Sequence, residues 1–160
     1  LPAEWTVFAP FDGKAAPLSD QDLSSVPETL TVDGTTIKAE KITVTNGQYD
    51  FRKFFGKPPY IAEHAAYIFL RISVDAVQEV TLGFGADWYM KAWVNGKPVL
   101  DLLQKGNIKS PPSIYNYPVN VKLTKGENIL TILLINGNNW GVLALGGEFL
   151  KALVRVLQFL

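Results

Sequence analysis

Apolar residues along this chain recur at every second position in short runs, with glycine, proline and asparagine between the runs, and helical spacing is nearly absent. Trp5-Thr-Val-Phe8 predicts a first strand, and residues 9–27, with Pro10, Gly13, Pro17 and Pro27, predict a long plain connecting loop. Short strands follow at 29–32, 36–39 and 41–45. The first two are joined across Asp33-Gly34, and the third runs into Asn46-Gly47; in each pair glycine supplies the positive φ of a tight turn. Stronger strands are expected at 66–74, 79–84 and 89–94. Asn95-Gly96, set between Trp93-Val94 and Lys97-Pro98-Val99, predicts a type I′ hairpin into a strand at 99–102. Residues 119–123 and 128–135 predict another hairpin with Gly126 at its corner, and 141–145 a further strand. In the tail, Lys151, Arg155 and Gln158 are spaced as a polar helix face, but Leu150, Ala152, Val154 and Val156 alternate, so a strand is expected. The expected fold class is an all-β antiparallel β-sandwich of jelly-roll type.

Length limits this to one domain, since 160 residues fill one core but not two. Lys plus Arg and Asp plus Glu are 15 each and scattered, which removes the long-range field that would attract nucleic acid or an anionic membrane. No cysteine is present, so disulfides, thiolate metal sites and thiol nucleophiles are excluded and the redox compartment stays undecided. The longest apolar runs, such as 129–135 and 150–154, fall far short of the roughly 20 residues of a bilayer-spanning helix. The chain opens at Leu1-Pro2-Ala3, without an initiator Met or an apolar leader. The expectation is a module excised from a larger secreted or cell-surface protein.

Four segments carry a family resemblance. Trp5-Thr-Val-Phe-Ala-Pro-Phe11 is similar to a tryptophan-to-Gly-Pro-Phe opening, with Ala9 in the glycine position. Tyr49-Asp50-Phe51, Phe55-Gly56 and Ala65-Ala66-Tyr67 follow as an Asp-containing segment before an alanine-aromatic strand. Leu82-Gly-Phe-Gly-Ala-Asp87 runs into Lys91-Ala-Trp-Val-Asn-Gly-Lys97, and Leu123-Thr-Lys-Gly-Glu-Asn-Ile-Leu130 with Asn139-Trp140-Gly141 completes the set. Together they resemble the galactose-binding-like jelly rolls found as accessory modules in bacterial polysaccharide-degrading proteins. The resemblance implies fold more strongly than ligand, since these are chiefly scaffold motifs; Trp93 and Asn95 are expected to serve packing and turns.

Antiparallel connectivity places loops at ends. If the strand at 66–74 runs up and every connection reverses, the loops 85–88, 103–118 and 136–140 fall together at the bottom with the approach segment 57–65. They hold Tyr60, Trp88, Tyr115, Tyr117 and Trp140 for flat apolar surface, and His64, Asp87, Gln104, Asn107, Asn116, Asn138 and Asn139 for polar contact. The other end holds only tight turns. Sugars are bound by this combination, because a pyranose C–H face packs on an aromatic ring while amides and carboxylates pair its hydroxyls. The candidate ligand-binding residues are therefore Asp87, Trp88, Tyr115, Asn116, Tyr117, Asn138, Asn139 and Trp140. In Tyr115-Asn116-Tyr117 an extended backbone would aim both rings the same way.

Other chemistries find less support. A single histidine, His64, has no serine near it, and Gly-x-Ser-x-Gly and His-Glu-x-x-His are absent. Gly83-Phe-Gly85 begins like a phosphate loop but lacks the later glycine. Asp50, Glu63, Asp87, Asp101 and Glu148 leave a glycosidase carboxylate pair formally open, roughly 5 to 10 Å apart, but no catalytic residue is assigned. Asp20-Gln-Asp22, Glu28 and Asp33 are oxygen donors of the type calcium takes; their spacing matches no EF-hand, so solvated loop acids and no cofactor are expected. The rival to sugar binding is a structural accessory domain packed on a neighbouring domain of the parent protein. Three or more exposed bottom-loop rings around a shallow cleft would favour sugar, and a flat continuous apolar patch would favour a domain partner.

Overall fold

The computed structural model describes residues 1–19, 23–60 and 62–148. The tail strand expected after residue 148, and Asp20 and Asp22 of the calcium donor set, lie outside them. The elements are β1 (Glu4–Asp12), β2 (Thr29–Val32), β3 (Thr35–Lys38), β4 (Glu40–Thr43), β5 (Gln48–Asp50), α1 (Arg52–Phe55), β6 (His64–Val74), β7 (Gln78–Ala86), β8 (Trp88–Val94), β9 (Lys97–Asp101), β10 (Tyr117–Leu123), β11 (Gly126–Asn136) and β12 (Val142–Glu148). A six-stranded sheet, β4-β1-β6-β11-β8-β9, packs on a four-stranded sheet, β10-β7-β12-β5, and β2-β3 is a separate hairpin. Every pairing is antiparallel. The expected all-β antiparallel sandwich is the fold observed.

Side-chain alternation explains the layers. On β6, Ala66, Ile68, Leu70 and Ile72 join the core between the sheets, with Leu82 and Phe84 from β7, Ile132 and Leu134 from β11, and Leu143 and Leu145 from β12. The alternate residues Ala65, Tyr67 and Phe69 face outward, yet they are buried too, in a second cluster with Phe8, Phe11, Trp93 and Leu133. Residues 13–19 and 23–28 and the β2-β3 hairpin cover that outer face. Leu23 is fully buried in it, the Leu18 amide donates to the Tyr67 hydroxyl (2.9 Å), and the buried Thr131 hydroxyl donates to the Leu23 carbonyl (2.9 Å). Of the stretch 9–27 expected as a plain loop, residues 9–12 extend β1, and residues 13–19 and 23–27 are the lid of a second small core. Trp93 is packing, as expected.

The turns follow the glycine arguments. Asp33 and Gly34, Asn46 and Gly47, and Asn95 and Gly96 all have positive φ. One expected hairpin is corrected: β10 and β11 are not paired. β10 lies beside β7 at the edge of the four-stranded sheet, while β11 lies between β6 and β8 in the other, so their connection crosses between sheets. Burial gives the reason. From Asn128 to Asn136 β11 is buried on both faces and so requires a central position, whereas β10 alternates half-buried or buried with exposed residues and suits an edge. The short β5 and α1 were not expected; Phe51 between them and Phe55 at the end of α1 are buried in the core between the sheets.

Candidate functional site

The chain directions inferred from alternation bring the β7–β8 and β11–β12 junctions, the approach segment and the start of the loop after β9 to one end, where hydrogen bonds tie them together. Asp87 alone separates β7 from β8, and its amide donates to the Val142 carbonyl of β12 (2.9 Å). The Asn107 amide donates to the Trp88 carbonyl (2.7 Å), and the Asn107 side chain donates to the Ala86 carbonyl, so the loop after β9 is pinned under Trp88. Gly106, at φ +67°, lies on the indole itself; a Cβ there would sit 2.0 Å from Trp88 Nε1. Gly137 brings the β11–β12 loop against the same strand junction, where a Cβ would meet Asp87 Oδ1 at 2.9 Å. Tyr60 donates its amide to the Asn138 carbonyl (3.0 Å), anchoring that loop to the approach segment.

These braces shape a cleft of about 360 Å³ lined by Glu63, Asp87, Trp88, Tyr89, Gly137, Asn138, Asn139 and Trp140. Trp88 is 36% and Trp140 50% exposed, large values for indoles on a fold that buries Trp5 and Trp93. The Arg52 guanidinium lies 5.0 Å from the Trp140 ring centroid, and Arg52 Nε donates to Asp50 Oδ2 (2.6 Å). An ion-paired cation therefore holds one indole in place. Asn138 and Asn139 are exposed, and among the described residues their side chains, like the Asp87 carboxylate, have no hydrogen-bond partner. Burial raises the Asp87 carboxyl above the ordinary carboxylate range. Burial also raises the Tyr60 hydroxyl, with a smaller push from the Asp50 charge. Among the described residues no cluster of three or more His, Asp or Glu is arranged to hold a metal ion.

Of the candidate residues, Asp87, Trp88, Asn138, Asn139 and Trp140 line the cleft together. Tyr115, Asn116 and Tyr117 do not, and the extended geometry expected for them is corrected. Residues 113–116 form a turn: the Asn116 amide donates to the Ser113 carbonyl (3.0 Å), and Asn116 Oδ1 accepts from the Ser113 amide (2.8 Å). The turn lies on the outer face of the four-stranded sheet, where the missing side chains of Gly83, Gly85 and Gly146 make room for Ser113 and Ile114. Tyr115 stands in solvent, 82% exposed, while Tyr117 is half-buried in β10 beneath the Lys109 ammonium, 4.9 Å from its centroid. Asn107 is buried and serves the loop, and His64 stacks on Phe55 (6.1 Å between centroids).

Glu63, Tyr89 and Arg52 were not among the candidates. Tyr89 follows Trp88 directly, and Glu63 sits in the approach segment already placed at this end, so both were within reach of the loop argument; the Arg52–Trp140 stack joins residues far apart in sequence and has no local signal. The opposite end is less bare than expected. A groove of about 510 Å³ runs there between β9 and β10, lined by residues that include Asn95, Lys97, Val99, Val121 and Lys122, but among the described residues no aromatic ring lines it.

No family model matches the chain, and no curated protein matches it by sequence. In structure it is similar to part of a β-glucosidase from Kluyveromyces marxianus, at a TM-score of 0.57 and 10% identity over 91% of this chain and 16% of that one. It is also similar to an anti-sigma factor domain-containing protein from Clostridium clariflavum, at a TM-score of 0.50 and 13% identity over 74% of this chain and 39% of that one. A weaker likeness, with a TM-score of 0.47 and 13% identity, links 94% of the chain to 83% of the PA14 domain of the MpAFP antifreeze protein. The chain thus spans only 16% of the β-glucosidase, and at these identities what is shared is the antiparallel β-sandwich fold.

Proposed function

We propose that the chain is a non-catalytic carbohydrate-binding module of galactose-binding-like type, an accessory part of a secreted or cell-surface protein that acts on polysaccharides. One observation carries the reading: two half-exposed indoles, Trp88 and Trp140, flank a cleft whose Asp87, Asn138 and Asn139 side chains are not used by the fold. Indole faces take the C–H surface of a pyranose, and unpaired amides and carboxylates take its hydroxyls, which must be paired once desolvated. The likeness to a segment of a β-glucosidase supports the accessory setting. Glu63 and Asp87 are two carboxylates in one cleft, so the test follows turnover as well as binding.

A structural accessory role against a neighbouring domain is the second reading. Among the described residues two cleft rings are open to solvent, not three, and Ile108 and Tyr115, 74% and 82% exposed, lie away from the cleft in the loop before β10. Calorimetric titration of plant and algal polysaccharides, with reducing-end release followed in parallel, separates the readings. Saturable heat without hydrolysis, weakened in Trp88→Ala and Trp140→Ala, supports the module. Silence across the panel shifts the weight to domain packing, and released reducing ends would make the chain an enzyme.

A further inference from the structure

The charge of the cleft narrows the class of sugar, an inference that rests on the carbohydrate reading above. Glu63 and Asp87 both line it, and among the described residues no arginine or lysine does. Of the cations in the surrounding segments, Arg52 pairs with Asp50 while stacking on Trp140 of the cleft, and Lys53 pairs with Glu40; Lys57 and Lys105 do not line the cleft. Lys109 donates to the Asn116 carbonyl (2.5 Å). Among the described residues neither cleft carboxylate has an ion pair or accepts a hydrogen bond at its side chain.

A negatively charged cleft between indoles disfavours uronates and sulfated sugars, whose charges would meet Glu63 and Asp87 with no opposing cation among the described lining residues. A neutral hexose pairs its hydroxyls there but leaves both charges uncompensated. An ammonium group compensates them and also gains from the indole faces, which attract cations. We infer that the cleft recognises an amino sugar with a free, protonated amine, a glucosamine-type residue whose ammonium sits against Asp87 and Glu63. Asn138 and Asn139 then serve the hydroxyls, and Trp88 and Trp140 the ring faces. The half-buried position of Asp87, which burial makes harder to ionise, fits a carboxylate completed by a cationic ligand.

The test is calorimetry of the whole chain with matched oligomers of glucosamine, N-acetylglucosamine, glucose and galacturonate, at mildly acidic pH and at low and high salt. The glucosamine oligomer is expected to bind about tenfold more tightly than the glucose oligomer at low salt. That advantage shrinks with salt and disappears in Asp87→Asn. Glu63→Gln, at an exposed position where folding is not at stake, reduces it as well. Equal affinity for the glucosamine, acetylated and glucose oligomers, or tighter binding of galacturonate, overturns this inference and leaves the carbohydrate reading standing. A folded chain that binds none of the four, nor any polysaccharide of the wider panel, overturns both.

Discussion

At the tight-turn end of the sandwich, side-chain amides are consumed by the fold; at the cleft end, two of them are left to solvent. Asn128 is fully buried: its Oδ1 accepts from the Thr124 amide (2.9 Å) and from Asn95 Nδ2 (2.9 Å), and its own Nδ2 donates to the Thr124 carbonyl (2.8 Å). Asn95 Oδ1 in turn accepts from the Ile129 amide (2.8 Å). Asn138 and Asn139 have no such partners, although the backbone around them is firmly braced. An asparagine between two strands is therefore not informative by itself. What separates a fold residue from a recognition residue is whether backbone amides and carbonyls reach its side chain, as they do at Asn128, Asn107 and Asn116 and do not at Asn138 and Asn139.

Breaking the turn end has the largest expected effect. Asn128→Ala orphans several buried groups and is expected to cost about 3 kcal/mol of stability in urea unfolding while leaving affinity at the cleft unchanged. Next comes Gly85→Ala, whose Cβ would sit 2.4 Å from the Ser113 backbone; overpacking there should cost about 2 kcal/mol and lift the 113–116 turn from the sheet, again without loss of binding. Trp140→Ala reverses the pattern: about 1.5 kcal/mol of binding, or roughly tenfold, is lost, with thermal unfolding little changed.

Asp87 sharpens the comparison through pH. Its pKa is raised in the folded chain, so its contribution to stability is complete below the unfolded value of 3.8 and is lost as pH rises through the folded pKa. Asp87→Asn should therefore leave neutral-pH stability unchanged or higher, yet weaken oligosaccharide binding. Affinity of the parent should fall as pH drops through the raised pKa, with Glu63, Tyr60 and the Asp50–Arg52 pair as the ionisable neighbours to control for. The smallest expected effect is at the aromatic-free groove, where Lys97→Ala and Lys122→Ala should change neither quantity measurably.

Much of this was legible in the sequence where a local requirement was strict. Asn95-Gly96 needed positive φ at both positions, and antiparallel reversal was enough to bring Asp87, Trp88 and residues 138–140 to one end. The failures share a cause: they depend on what lies across a sheet. Nothing in residues 113–117 signals a turn lying on Gly83, Gly85 and Gly146, although glycines on the outward face of strands are a sign of close backbone approach. The lid formed by residues 13–19 and 23–28 is legible only once β6 is known to bury both faces, and the separation of β10 from β11 only once β11 is known to be central.

The central claim, ligand binding between Trp88 and Trp140, is tested most directly by indole N–H resonances in NMR spectra of the chain titrated with the oligosaccharides above. The four tryptophans provide their own controls, since Trp5 and Trp93 are buried, and Trp5 Nε1 donates to the Pro2 carbonyl (3.2 Å). Binding at the cleft predicts saturable shifts of the Trp88 and Trp140 signals while those of Trp5 and Trp93 stay in place. Four unmoved indole signals, or shifts confined to the side-chain amides of Asn95 and Asn120 at the opposite groove, would contradict it.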